Sequence, residues 1–411
     1  MQYRKLGKTG EEISILGYGC MRFPAKNGRI DMERTEKQIL MAIEKGVNYF
    51  DTAYIYPGSE AALGTILEKH QLRSRVKIAT KLPPYLATTR ASMENILKTQ
   101  LERLKTTTID YYLIHAIADF RSWEKAKANG IVEFLNEKKK EGVIGHVGFS
   151  YHGDKLDFPR LIDDYPWDFC QIQYNYIDEN SQAGREGLQY AYQKGIGVVI
   201  MEPLRGGSLV GRMPDKIKTI WEKAETKRSY ADWALRWLWD QEEVSVVLSG
   251  LNEEAHIEEN IRVASEVKPH SLTPAEITLF QEVKEAYLSL MKVGCTGCSY
   301  CLPCPAGVNI PYAFSCYNGH HLFHDIALRF QYLLMNSDVS GRKNGLAHQC
   351  IACGKCEKHC PQHLPIREHL KAVKKDMEPW WGRAVVACAR FTLKVLRAFS
   401  PKGKRVQEAQ E

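Results

Sequence analysis

Residues 46–60 read GVNYFDTAYIYPGSE. An apolar run, Val47–Phe50, ends on an acid, Asp51, and a phenol follows at Tyr56. Gly58 and Ser59 then reopen the chain, and Ser59 is expected to cap a helix over Glu60–Lys69. A carboxylate and a phenol at the exit of a buried strand are a candidate proton-transfer pair.

Working outward, the same kind of short apolar run recurs along the first 270 residues. Eight are visible: Ile13–Leu16, Val47–Phe50, Val76–Ala79, Ile109–Ile114, His146–Phe149, Phe169–Gln173, Val198–Met201 and Val244–Leu248. Amphipathic segments separate them, such as Glu33–Lys45, Thr88–Lys105, Ala126–Glu141 and Ser229–Trp239. Strand and helix signals alternating over about 250 residues predict parallel βα units closed into an α/β (β/α)8 TIM barrel. An open doubly wound sheet would want a GxGxxG turn, and Gly17-Tyr18-Gly19-Cys20-Met21-Arg22 lacks the third glycine. Residues 2–20 alternate weakly around Gly7–Gly10, which predicts a short hairpin ahead of the barrel.

The C-terminal ends of barrel strands face the active site, so polar residues there are candidates. The exits carry Asp51, Lys81, His115, Ser150, Gln173 with Asn175, Glu202 and Ser249. Each alone has a plain reading: a single His is more often scaffolding, and a single Lys is usually solvated. Titratable groups from three successive βα units, together, point to a shared pocket.

Residues 46–60 resemble the FDTAxxYGxSE signature of the aldo-keto reductases, with Pro57 inserted before the glycine. Asp51, Tyr56, Lys81 and His115 match that family's Asp, Tyr, Lys and His tetrad position by position. The resemblance implies hydride exchange between NADPH or NADH and a small carbonyl or alcohol substrate. Tyr56 would give the proton, Lys81 and Asp51 would tune it, and His115 would orient the carbonyl. The residue types suit this chemistry, because a phenol with a pKa of about 10 yields its proton reluctantly unless a cation favours the phenolate. Gly148-Phe149-Ser150-Tyr151 resembles the family's GxSN segment, so Ser150 and Gln173 would bind the nicotinamide carboxamide, with Tyr151 replacing the usual Asn. Met201, followed by Pro203 and Leu204, stands where many members place an aromatic ring. Ser249 and Gly250 end the last strand, and Glu259-Asn260 matches the pair that meets the adenine. Gly250 and His256 stand where NADP-dependent members present cations, beside Glu253 and Glu254. Carboxylates repel a 2′-phosphate, so NADH carries equal weight with NADPH.

With 411 residues, the chain should hold more than one domain. The expected division is a barrel over 1–270, a linker and helix over 271–292, an iron–sulfur domain over 293–379 and a basic tail over 380–411. The net charge of +7 is mostly in the tail, where Lys371–Glu411 holds ten Lys/Arg against four Asp/Glu, so the body is nearly neutral. That argues against nucleic acid as a partner. Met1–Gly10 shows no apolar h-region and no run of 18 apolar residues follows, so a cytoplasmic location is expected.

Of twelve cysteines, only Cys20 and Cys170 precede Cys295. One run places Cys295, Cys298, Cys301 and Cys304 before Pro305, and a second places Cys350, Cys353, Cys356 and Cys360 before Pro361. The second is the bacterial ferredoxin spacing CxxCxxCxxxCP, and the first is one residue shorter before its fourth cysteine. Zinc ribbons rarely set three CxxC steps in series, so two 4Fe–4S clusters are expected, in a mostly helical ferredoxin-like domain. In two-cluster ferredoxins the cysteine before proline serves the other cluster. Cys360 would then join Cys295, Cys298 and Cys301, and Cys304, or else Cys316, would join Cys350, Cys353 and Cys356. Such clusters could exchange electrons with a redox partner protein, sense redox state, or be structural. Arg383, Arg390, Lys394 and Arg397 fall on one face of a tail helix opposite Val385, Val386, Phe391, Leu393 and Leu396. A cap on the cluster domain is the plainer reading of that helix, and contact with an anionic membrane or acidic partner the sharper one.

Overall fold

The computed structural model describes residues 1–399 except 212, 296, 298, 338, 340–343 and 361, and the side chains of 383 and 393–399 are also left out. Cys298 and Pro361, and the tail side chains of Arg383, Leu393, Lys394, Leu396 and Arg397, therefore lie outside the described residues.

Eight parallel strands close a barrel. They are β1 (Leu16–Gly19), β2 (Tyr49–Asp51), β3 (Lys77–Leu82), β4 (Ile109–Ile117), β5 (Ile144–Tyr151), β6 (Phe169–Gln173), β7 (Gly197–Met201) and β8 (Val246–Ser249). Each pairs with the next, and β8 returns to β1 from Val247 opposite Leu16 to Ser249 opposite Tyr18. The interior is filled by Tyr49, Ala79, Tyr111, Leu113, Phe169, Val199, Val246 and Leu248. Strand side chains alternate, so the next inward positions toward the C-terminal mouth are Asp51, Lys81, His115, Gln171 and Met201. The pleat that builds the core thus also places the polar exits. The opposite mouth is plugged by a hairpin, Tyr3–Lys5 against Glu12–Ser14, which sends Leu6 and Ile13 into the interior layer. Gly7, at φ +51°, is required there, because a Cβ would meet the Gly197 nitrogen at 2.3 Å.

Three local expectations are corrected. The apolar run Ile13–Leu16 is not one strand: Ile13 belongs to the hairpin, and β1 begins at Leu16. Ala126–Glu141 is two helices, Phe120–Ala128 and Ile131–Lys140, parted at Gly130 with φ +83°. Ser59 is already helical, and its hydroxyl donates to the Cys20 carbonyl at 2.8 Å and pairs with Thr52 Oγ1 at 2.8 Å instead of capping.

After the barrel, helices Ile310–Phe323, Ala327–Met335, Ile366–Met377 and Trp380–Phe399 surround a second core that includes Phe314, Tyr332, Leu370 and Val373. Val386 of the last helix enters this core, whereas Trp380 and Phe391 are exposed. Among the described residues no helix is long and apolar enough to cross a membrane.

Helix Pro274–Leu290, which the sequence set between the domains, is built into the barrel's side. Thr273 and Glu276 form a capping box, with Pro274 in the first turn. Its inward face adds Leu279, Phe280, Val283, Ala286 and Tyr287 to the barrel's outer core. Phe280 lies among four rings, 5.5 Å from Tyr176, 5.1 Å from Trp221, 5.9 Å from Trp233 and 6.4 Å from Trp237. Truncating such a residue loses both transfer energy and packing. Phe280→Ala should lower barrel stability by about 3–5 kcal/mol in equilibrium denaturation, and a loss below about 1 kcal/mol would contradict this role.

Candidate active site

Four of the sequence-selected residues meet at the C-terminal mouth. Lys81 Nζ donates to Asp51 Oδ1 at 2.5 Å and to the Thr52 carbonyl at 2.8 Å. Gln171 Nε2 donates to the other carboxylate oxygen at 3.0 Å. Asp51, Lys81 and His115 are all buried. Tyr56 comes in on the loop after β2, its ring centroid 5.1 Å from Lys81 Nζ and 5.9 Å from the His115 ring, edge to face. His115 Nδ1 is buried with no hydrogen-bond partner among the described residues. A polar atom left so costs stability unless something else meets it, which fits a pocket built to receive a ligand.

The electrostatics fix which group holds a proton. Burial pushes the Asp51 carboxyl up, against the pull of Lys81 and Gln171. Burial works to discharge Lys81, but the Asp51 carboxylate, with Tyr56 and Cys20 adding to it, holds the ammonium's pKa up. Burial likewise raises the Tyr56 phenol, with Lys81 opposing and Asp51 adding to the rise. The expected net lowering of Tyr56 is therefore not seen: Lys81 acts in that direction, but burial is larger. His115 is pushed well below its ordinary value by burial and by the Lys81 charge, so it is neutral near pH 7.

A second polar layer, unread in the sequence, anchors this one. Glu60 is buried and accepts from Thr80 Oγ1 at 2.6 Å, Gln100 Nε2 at 3.0 Å and Arg103 Nη1 at 3.1 Å. Gln100 also donates to the Lys81 carbonyl at 3.1 Å, and Arg103 to the Tyr54 carbonyl at 3.1 Å. The network thus grips both the lysine's strand and the loop that carries Tyr56. Its sequence signal was Glu60 itself, an acid inside an apolar helix face. Gln171 was legible too, as the inward partner two residues before Gln173.

The coenzyme candidates fall along one side of the mouth. Ser150 Oγ accepts from the Ala116 N–H at 2.7 Å, which ties β5 to the residue after His115 and leaves its own proton to give. Gln173 Nε2 donates to Asp178 Oδ2 at 2.8 Å. Tyr151, at the position of the usual Asn, is buried between Phe149 and Phe158, with its hydroxyl on the Asp154 carbonyl at 2.6 Å. Met201 and Leu204 are half-buried and Pro203 is buried. Ser249 Oγ accepts from Asn260 Nδ2 at 2.9 Å, with Glu259 half-buried beside it, and the space beyond Gly250 is open. Glu253 and Glu254 are not bare carboxylates. Both pair with Arg34, which holds the Glu254 carboxyl down at about 2.

In the second domain, Cys295, Cys301 and Cys360 line one small cavity walled by Ile310, Phe314, Leu364 and Ile366. Burial raises the Cys356 thiol, with the Glu357 carboxylate and then Cys304 and Cys350 adding to the rise. Thiolates are the donors iron–sulfur clusters take, while among the described residues no three His, Cys, Asp or Glu side chains converge closely enough to hold a single metal ion. Cys353 is exposed. Cys316 is buried in the second core, its thiol pushed up to about 12 by burial, with Tyr312 opposing the rise.

Comparison with known proteins agrees with both halves. The Aldo/keto reductase family matches residues 15–284, and a 4Fe-4S dicluster domain matches residues 294–364. L-galactose dehydrogenase of Arabidopsis thaliana is 26% identical over 315 residues, covering 71% of this chain and 96% of its own. The NADH-specific methylglyoxal reductase of Escherichia coli is 25% identical over 333 residues, covering 68% of this chain and 98% of its own. The solved structure of the thermostable aldo-keto reductase Tm1743 superposes with a TM-score of 0.57 at 25% identity, over 69% of this chain and 100% of that one. The chain belongs to the aldo/keto reductase family, as an NAD(P)H-dependent oxidoreductase barrel joined to a C-terminal 4Fe–4S domain.

Proposed function

We propose that the barrel interconverts a small polar aldehyde or ketone and its alcohol, and that the cysteine runs hold two 4Fe–4S clusters serving an acidic one-electron carrier protein. The observation that carries the first part is the buried Lys81–Asp51 pair set against Tyr56 and His115. The activities named for the two relatives, on a sugar and on methylglyoxal, support a small polar substrate. Reduced nicotinamide supplies the hydride when bound. The chain supplies the proton from the Tyr56 hydroxyl, and Lys81 stabilises the phenolate left behind. Neutral His115 can donate to the same carbonyl oxygen while it gains charge. Ser150 and Gln173 have side-chain donors for the coenzyme's amide.

Tyr56→Phe should lower kcat by on the order of 100-fold with coenzyme affinity unchanged, and full turnover would remove Tyr56 from the acid role. The pH profile follows from the directions of the shifts. Tyr56 must be protonated, and its raised pKa keeps it so until pH passes about 10; His115 must be neutral, and its lowered pKa keeps it so down to about 6.5. Reduction should therefore be flat between those limits, and a limb centred near pH 8 would contradict the assignment.

For the coenzyme, the open space at Gly250, exposed His256 and an Arg34 already engaged by two carboxylates support NADH. Steady-state comparison should show NADPH favoured weakly or not at all. A preference above about 100-fold, roughly 2.7 kcal/mol, would require a phosphate site elsewhere.

Crossed ligation is supported by Cys360 sharing a cavity with Cys295 and Cys301, and by Cys304 near Cys356. Protein prepared without oxygen should approach about eight iron and eight sulfide per chain, and Cys360→Ser or Cys304→Ser should each remove about half. A wild-type value near four, unchanged by Cys304→Ser, would mean one cluster. The acidic carrier is argued from charge: exposed Ile351 and Cys353 lie on the surface with exposed Lys355 and Lys358.

A further inference from the structure

The β6 exit loop is held from two directions by the iron–sulfur domain. Within it, Asp178 is buried and accepts from Gln173 at 2.8 Å and from Asn175 at 3.0 Å. Arg205, on the loop after β7, places Nε 3.2 Å from the same carboxylate oxygen, with both side chains only 8% exposed. The guanidinium then lies 5.3 Å from the ring centroid of Phe323, at the end of helix Ile310–Phe323, and Gly319 of that helix lies against it, with a Cβ built there in ordinary contact, 3.4 Å from Arg205 Nη2. The second hold is Gly297, between Cys295 and Cys298. Its φ is +72°, and a Cβ there would come within 2.7 Å of the Asn180 carbonyl, two residues from Asp178.

We infer that Arg205 and Asp178 are positioning residues that link docking of the iron–sulfur domain to Gln173, so that the state of the first cysteine run and the affinity for coenzyme depend on one another. This rests on the nicotinamide role proposed for Gln173. The physical reason is the cost of the pair. Arg205 Nη1 is buried with no partner among the described residues, so the guanidinium is only partly satisfied where it stands. Such a group stays desolvated when surrounding structure holds it there, and here helix Ile310–Phe323 closes over it. Undocking would give Arg205 to water and leave Asp178 free to turn from Gln173. Coupling of this kind is reciprocal by thermodynamic necessity.

A pair that merely glued the domains would change stability and nothing else. The test therefore reads coenzyme Kd by fluorescence titration of anaerobically purified full-length protein, with iron content and melting temperature recorded on the same samples. Arg205→Ala should raise the Kd by on the order of tenfold, and Arg205→Lys should recover part of it, since an ammonium can hold Asp178 without the planar fork. Phe323→Leu, which keeps the apolar filling but removes the ring, should fall between. In the wild type, coenzyme should shift the midpoint potential of a cluster by up to about 59 mV for each tenfold difference in affinity between its oxidation states, a shift lost in Arg205→Ala. Arg205→Ala and Phe323→Leu proteins that retain iron and bind coenzyme within about twofold of wild type would overturn the inference alone. A wild type that binds neither NADH nor NADPH would overturn the proposed function and the inference with it.

Discussion

A lysine only 1% exposed must be compensated, and the site follows from how this is done. The cost of taking an ammonium and a carboxylate out of water is several kcal/mol per ion, recovered only when geometry is good and the remaining polar atoms are met. Here Asp51 faces Lys81 across neighbouring strands, Thr52 accepts a second proton of the ammonium, and Gln171 meets the second carboxylate oxygen. Glu60, Gln100 and Arg103 then fix the backbone on either side. The pair is weak evidence for stability, because apolar residues would fill the space at less cost. What it supplies is a fixed positive charge beside a phenol, in a place water does not screen.

The second domain poses a problem of electron number. Hydride carries two electrons, and a 4Fe–4S cluster accepts one. The cysteine runs lie in a domain with its own core, yet that domain reaches the barrel through Phe323, Gly319 and Gly297, at the loops beside Gln173 and Glu202. This contact does not require electrons to pass between the two sites. It can carry a packing change between them instead.

Much of the barrel could be read from the chain because one periodicity serves two purposes. Alternation along each strand fills the interior with Tyr49, Ala79, Leu113 and Phe169, and two residues later the same faces present Asp51, Lys81, His115 and Gln171. The boundary at Ile13–Leu16 was not legible, since a hairpin strand and a barrel strand abut in one apolar run. The break at Gly130 was hidden by helical spacing that continues on both sides. Ser59 looked like a cap because its side chain suits one, and only the approach of Cys20 shows where the hydroxyl goes. Arg34 pairs with Glu253 and Glu254 from a helix far back in the chain, and Arg205 meets Asp178 beneath another domain. Long-range pairings of this sort have no local signature.

The buried Lys81–Asp51 pair is what would make Tyr56 an acid for carbonyl reduction. Its most direct test is Lys81→Met, assayed for loss of NADH absorbance with a small aldehyde while coenzyme affinity is measured on the same protein. The variant should bind coenzyme as the wild type does and turn over at least about 100-fold more slowly. Equal turnover by a folded, coenzyme-binding Lys81→Met protein would contradict it.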